Sequence, residues 1–208
     1  MALNDTLVAF SDGNPIDVLR SYPVLDKPAT RALVERLFPG AEIEEIGDEL
    51  LVDALNPPAD VVCIGCFPGL ELVCSWGLTP KRPSELDPVV FTATDRRNVY
   101  LHAAHSDAGW CSYGVWRDGS RVRARSISAD PTISEDEGTH LPFERPGEEN
   151  DPGEQSCASM QALFGFACDD HERMDDVDPE LIPVVAYRIT TTDSTPTTST
   201  SQNEEPTR

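Results

Sequence analysis

Short apolar runs, broken by proline, glycine and small polar clusters, divide the chain into brief elements. Thr6–Ser11 reads as a strand, and Asn14-Pro15 supplies an N-cap and a first-turn proline for a short helix through Ser21. Pro28 opens a second helix, whose Leu33, Val34, Leu37 and Phe38 make one apolar stripe before Pro39-Gly40 stops it. Strands are predicted at 41–46 and 49–55. From Val61 to Trp76 two apolar halves flank Pro68-Gly69, which predicts a hairpin with strands near 61–67 and 70–76. In that register Cys63 faces Cys74, and Val61, Gly65, Phe67, Leu70, Leu72 and Trp76 share their side.

Between Ser84 and Thr94 the pattern favours a helix that Pro88 interrupts. Asn98–His105 reads as a strand. Asp118-Gly119 suits a type I′ hairpin between 110–117 and 120–128, in which paired positions sum to 237. One face then carries Cys111, Tyr113, Val115, Val122 and Ala124, a core face. The other carries Ser112, Gly114, Trp116, Arg121, Arg123 and Arg125, a solvent or ligand face. Residues 155–168 form a helix with Met160, Leu163, Phe164 and Ala167 on one stripe, and Ile182–Ile189 is the closing strand. No internal repeat is visible. These elements predict a single α+β domain over residues 1–190, a mainly antiparallel β-sheet with helices 28–38 and 155–168 packed on it.

The length, 208 residues, suits one domain. Its 16 Lys and Arg against 37 Asp and Glu give a formal charge of −21, unevenly spread. Asp130–Glu154 holds nine acids against Arg145, and Asp169–Glu180 holds seven against Arg173. An acidic loop is therefore expected at about 130–154. Residues 190–201 contain ten Ser and Thr, so 191–208 are expected to form a disordered Ser/Thr-rich tail. Of the bases only Lys27 and Lys81 are lysine, a usage that fits a GC-rich genome or a halophile. So large a negative charge opposes nucleic acid and anionic membranes. No apolar run is long enough to span a bilayer, and Met1–Gly13 lacks the basic, then apolar pattern of a secretion signal, so the expected location is cytoplasmic.

The candidate chemistry falls into three groups. Six cysteines (63, 66, 74, 111, 157 and 168) include one C-x-x-C, Cys63 and Cys66, which suggests a metal or thiol redox site. On an extended strand, however, those thiols point to opposite faces, and core thiols are the simpler reading. His102 and His105 form H-x-x-H with Asp107 close behind. If His105 and Asp107 share an edge with Asp12, these groups make an acid–base or metal-assisted hydrolase. Asp12 ends a strand as in the nucleophile loop of haloacid-dehalogenase phosphatases, but that pattern needs two aspartates two residues apart and position 10 is Phe10, so the comparison is rejected. Nucleotide-binding glycine loops and G-x-S-x-G are absent, and no cofactor is expected. The third group is the stripe Arg121, Arg123 and Arg125 with Trp116 opposite, which suits a protein partner or a small anionic ligand unless the nearby acidic loop neutralises it.

The strings AFSDGNP, RALVERLFPG, IGCFPG, RPSELDP, LHAAHS, GVWRDG with SISAD, LPFE, LFGF and DVDPELIPV, in this order and spacing, resemble an actinobacterial domain family of unknown function. The resemblance covers roughly residues 5–190. It implies one domain in a bacterial cytoplasm, carries over no catalytic residues, and implies that the six cysteines are not shared by all members. The leading expectation is a non-catalytic binding or interaction module through Trp116, Arg121, Arg123 and Arg125. The alternatives are a hydrolase using Asp12, His102, His105 and Asp107, and, more weakly, a thiol redox protein. The sequence is silent on oligomeric state.

Overall fold

A computed structural model describes residues 4–144, 151–166 and 176–191. In chain order the elements are β1 (Asn4–Ser11), α1 (Pro15–Leu19), α2 (Lys27–Leu37), β2 (Glu42–Leu50), α3 (Leu51–Ala54), β3 (Val61–Phe67), β4 (Leu70–Cys74) and α4 (Pro88–Thr92). Then follow β5 (Asn98–His105), β6 (Trp110–Arg117), β7 (Ser120–Ser128), β8 (Glu135–Gly138), α5 (Pro152–Phe164) and β9 (Pro183–Thr190). The strands make one antiparallel sheet in the order β2-β9-β3-β4-β1-β5-β6-β7-β8. The α+β class and mainly antiparallel sheet are as the sequence predicts. No helix among the described residues is long and apolar enough to cross a membrane.

Helices cover both faces of the sheet, which explains why β3, VVCIGCF, is apolar or small at every position instead of alternating. Leu19 of α1, Leu51 of α3 and Met160, Leu163 and Phe164 of α5 pack on one face. Leu33, Val34 and Leu37 of α2 and Val90 of α4 pack on the other. The helix starts follow from local chemistry. Asn14 Oδ1 accepts from Ile16 N (3.2 Å), Asp26 Oδ1 from Ala29 N (2.9 Å) and Asp151 Oδ1 from Glu154 N (2.9 Å), each with proline in the first turn.

Several expectations need correction. The strands predicted at 41–46 and 49–55 are one strand, β2, kept continuous by a bulge at Glu45–Gly47, and residues 51–54 coil into α3. Pro88 begins a helix instead of breaking one, because the Asp87 carboxylate caps it by accepting from Val89 N (2.8 Å). Cys63 pairs with Cys74 as predicted, but β4 ends there, and Trp76 lies in the following loop, its indole N–H donating to Asn56 Oδ1 (3.1 Å). Helix α5 starts at Pro152 and stops at Gly165, whose φ of 83° closes the last turn. Ala167 and Cys168, residues 145–150 of the acidic loop and residues 192–208 of the expected tail lie outside the described residues.

The most consequential correction concerns β7. Asp118 and Gly119 take φ values of 48° and 73°, as a type I′ turn requires, and Trp116 pairs with Arg121. Val122 is then an extra residue, and the register slips so that Val115 pairs with Arg123 and Tyr113 with Arg125. The predicted common face is therefore split. Trp116 stays on the α2 face, whereas Arg123 and Arg125 turn to the side of Tyr113 and Val115.

Gly138, opposite Arg123, holds φ at 91°, and a Cβ there would sit 2.2 Å from the Val122 carbonyl oxygen. Gly138→Ala is accordingly expected to destabilise the fold by about 1–3 kcal/mol. A lowered urea midpoint at unchanged slope is the expected reading; a midpoint equal to wild type would refute this β7–β8 pairing.

Candidate functional site

Alternate residues of β5 and β6 face α5: Asn98, Tyr100, His102 and Ala104 on one strand, Arg117, Val115, Tyr113 and Cys111 on its neighbour. Toward the Asn98 and Arg117 end, α5 stands off the sheet and leaves a cleft of about 750 Å³. Tyr100 and Val115 form its floor, Ala162 and Leu163 of α5 one wall, and Leu141, Pro142 and Phe143 the other. Gly13, Asn14, Asn98 and Arg117 form a polar rim. Two of these groups are fixed by the backbone of β1 and the turn after it: Asn98 Nδ2 donates to Ser11 O (3.0 Å) and Tyr100 Oη to Gly13 O (3.3 Å). Burial raises the phenol pKa of Tyr100, and the nearby Arg117 charge opposes that rise. Arg117 is exposed and forms no ion pair with any described residue.

A buried arginine fixes the loop wall. The Arg123 side chain has no exposed surface; its Nε donates to Glu144 Oε1 (2.8 Å) and its Nη2 to Glu144 Oε2 (2.7 Å), a two-pronged pair. Its Nη1 reaches Asp136 Oδ1 (2.7 Å) and the Glu137 carbonyl (3.0 Å), so every face of the guanidinium is used. Phe143, next to Glu144, is thereby set against the Tyr113 ring, 5.3 Å between centroids. Arg125 also pairs with Asp136, and Arg121 with Glu137. Partial burial pushes the Asp136 pKa up, but Arg123 and Arg125 outweigh it and hold this carboxylate below its ordinary 3.8. The arginine stripe is thus engaged by the chain's own acids.

The helix wall is tied down by a second polar chain. His102 Nε2 donates to Asp5 Oδ1 (2.8 Å), and His102 Nδ1 lies 2.9 Å from Ser159 Oγ on α5. Acid, imidazole and hydroxyl in this order resemble a nucleophilic set. Ser159, however, has no exposed surface, and its oxygen also lies 3.1 Å from the Ser156 carbonyl. No substrate carbonyl reaches it, and the chain acts as a bracket between sheet and helix.

The structure separates the other predicted residues. Antiparallel pairing sets Asn4 against His105 and Ser11 against Asn98, so Asp12 and His105 stand at opposite ends of the β1–β5 pair, about 26 Å apart at 3.3 Å per residue. The pairing that the Asp12 hydrolase reading needs is not made. Asp12 instead binds Arg96 Nη1 (2.5 Å). His105 clusters with Trp76 and Trp110, with ring centroids 6.1 and 6.5 Å away, and Asp107 is exposed in the following turn. Cys63 and Cys66 pack in opposite cores, and burial pushes both thiols up to about 12, far from a reactive thiolate. Among the described residues no three His, Cys, Asp or Glu side chains gather as metal ligands. Arg117 was within reach of sequence reasoning, since it continues the alternation Cys111, Tyr113, Val115. Asp5, Ser159 and Glu144 were not, because only tertiary folding brings them to His102 and Arg123.

A family model described as a family of unknown function (DUF6928) matches residues 5–187. No curated protein and no solved structure matches the chain.

Two outcomes test this construction. Arg123→Met and Glu144→Leu each leave a buried charge without its main partner and are expected to cost about 3–5 kcal/mol, with the double substitution costing much less than their sum. Additive losses in a urea-denaturation cycle would show that the pair is not coupled. Asp136 is held below 3.8, so its contribution to stability is complete above that value and disappears as pH falls through its lowered folded pKa. Wild type should therefore lose its advantage over Asp136→Asn on acidification; an advantage that grows at low pH would contradict the assignment.

Proposed function

We propose, for a chain that belongs to the DUF6928 family of unknown function, that the domain is a non-catalytic binding module whose cleft takes a small amphipathic anion. The observation that carries the reading is Arg117, a guanidinium without a described carboxylate partner at the mouth of an apolar cleft. With 37 acidic against 16 basic residues, unengaged positive charge is scarce here. Arg31, Arg96, Arg121, Arg123, Arg125 and Arg188 all bind acids of the chain itself.

A volume of about 750 Å³ lies within the range of small-molecule sites, which pair an apolar lining with a few placed polar groups. The fitting ligand has an aromatic or aliphatic body against Tyr100, Val115, Phe143 and Leu163. Its carboxylate or sulfonate meets Arg117, with the Asn14 and Asn98 amides beside it. The overall charge of −21 disfavours polyanions, which points to a ligand with one or two charges. This reading moves the binding site from the predicted Arg121–Arg125 stripe to Arg117, and gives Arg123 the task of positioning the cleft wall. As its setting we propose a bacterial cytoplasm, in keeping with the free, buried Cys63, Cys66, Cys74 and Cys111.

Titration with 1-anilinonaphthalene-8-sulfonate, an aromatic monosulfonate, tests the proposal. Fluorescence enhancement should saturate at one site and be displaced by dodecanoate but not by dodecanol. Arg117→Glu and the cleft-filling Ala162→Trp should each weaken binding at least tenfold, while Arg97→Ala should leave it unchanged. Binding at wild-type strength in both cleft variants would refute the site.

A further inference from the structure

At the far end of the sheet from β8, strand β2 is paired on one side only, by β9. No described residue hydrogen-bonds its outer edge. The outward-pointing backbone groups of alternate residues along this nine-residue strand are an invitation to strand addition, and folds normally blunt such an edge with charge. Strand β2 carries that charge: Glu42, Glu45 and Glu49 on the strand and Asp53 just after it are exposed and form no ion pair with a described residue.

Charge alone does not account for the surroundings. The six large apolar side chains that stand exposed among the described residues are Tyr22, Val24, Ile46, Leu50, Val52 and Leu181, and all belong to this edge. Val24 is 84% exposed and Leu181 56%. Tyr22, Val24, Leu50 and Leu181 line one groove of about 660 Å³ beside β2. Tyr22 is held at φ 47°, a left-handed backbone that costs a bulky L-residue about 1 kcal/mol and recurs at binding sites. Scattered apolar residues need no explanation, but a contiguous patch marks a contact surface.

We propose that the outer edge of β2 and this groove form a docking site for an extended basic and apolar protein segment, which adds to the sheet as a tenth strand. The backbone of β2 supplies hydrogen bonds, the groove receives alternate apolar side chains, and the unpaired carboxylates meet Lys or Arg between them. The same acids disfavour a second copy of this chain, because two β2 edges side by side would oppose carboxylate to carboxylate. The site lies across the sheet from the Arg117 cleft and stands independently of it.

Fluorescence anisotropy with a labelled alternating lysine–valine heptapeptide tests this on the full chain. Saturable binding is expected, at least tenfold tighter than that of the matching lysine–serine and glutamate–valine peptides. Leu50→Lys and Glu49→Lys, both at exposed positions, should each weaken it at least tenfold with unchanged thermal unfolding, whereas Arg117→Ala should not. Equal affinity for the lysine–serine peptide would reduce the surface to diffuse charge and overturn the proposal. So would full binding in the Leu50→Lys variant. Sedimentation showing a dimer that this variant abolishes would overturn it in favour of self-association.

Discussion

The domain's cleft depends on burying the Arg123 guanidinium. Once the extra residue Val122 turns Arg123 toward the α5 face, its charge sits in the interior, where an ion left unpaired costs several kcal/mol. It must therefore collect acids, and the nearest source is the chain immediately after β7. Strand β8 lies where Asp136 and the Glu137 carbonyl can reach the guanidinium, and Glu144 closes the fork. The path of residues 135–144 is set by that requirement, and with it the position of Leu141, Pro142 and Phe143. A single inserted residue in a strand thus decides whether the cleft has a second wall.

The Asp5–His102–Ser159 chain does for the helix what Arg123 does for the loop. Each bracket places a polar group in the interior and satisfies it from a distant segment. Hydrophobic packing of α5 would tolerate small slides along the sheet, whereas a histidine held on both ring nitrogens fixes the helix at one position. The cleft is open because these brackets hold its walls apart at one end of the sheet, while His102 and Ser159 seal the middle.

Much of this architecture is legible in the sequence, and the limits have physical causes. The Cys63–Cys74 register and the Asp118-Gly119 turn are local consequences of two-residue periodicity and of turn geometry, so short stretches suffice to read them. The slip at Val122 is different. A strand written Arg-Val-Arg-Ala-Arg alternates cleanly and predicts arginines facing solvent; the carboxylate that makes the inward orientation tolerable lies 21 residues away. Likewise 97 residues separate Asp5 from His102, and no pattern in either strand announces the bond. The condition on which a hydrolase site rested, Asp12 sharing an edge with His105, is not met for a simpler reason. Asp12 follows β1 and His105 ends β5, and these antiparallel strands end at opposite ends of their pairing.

The place of β9 has a consequence for how the chain acquires its shape. β9, the last strand of the described residues, sits between β2 and β3, and among the described residues it is the sole neighbour of β2 in the sheet. The ion pair of Glu44 with Arg188 spans 144 residues, so closing this part of the sheet carries a large loop entropy and is expected among the later steps of folding. Until then β2 has no partner, and its exposed acids oppose edge-to-edge pairing of two such strands. The β3–β4 hairpin and the run β5 to β8 pair strands close in sequence and can form first, whereas β1, whose β5 partners lie 87 or more residues away, and β9 with β2 join by long-range closure.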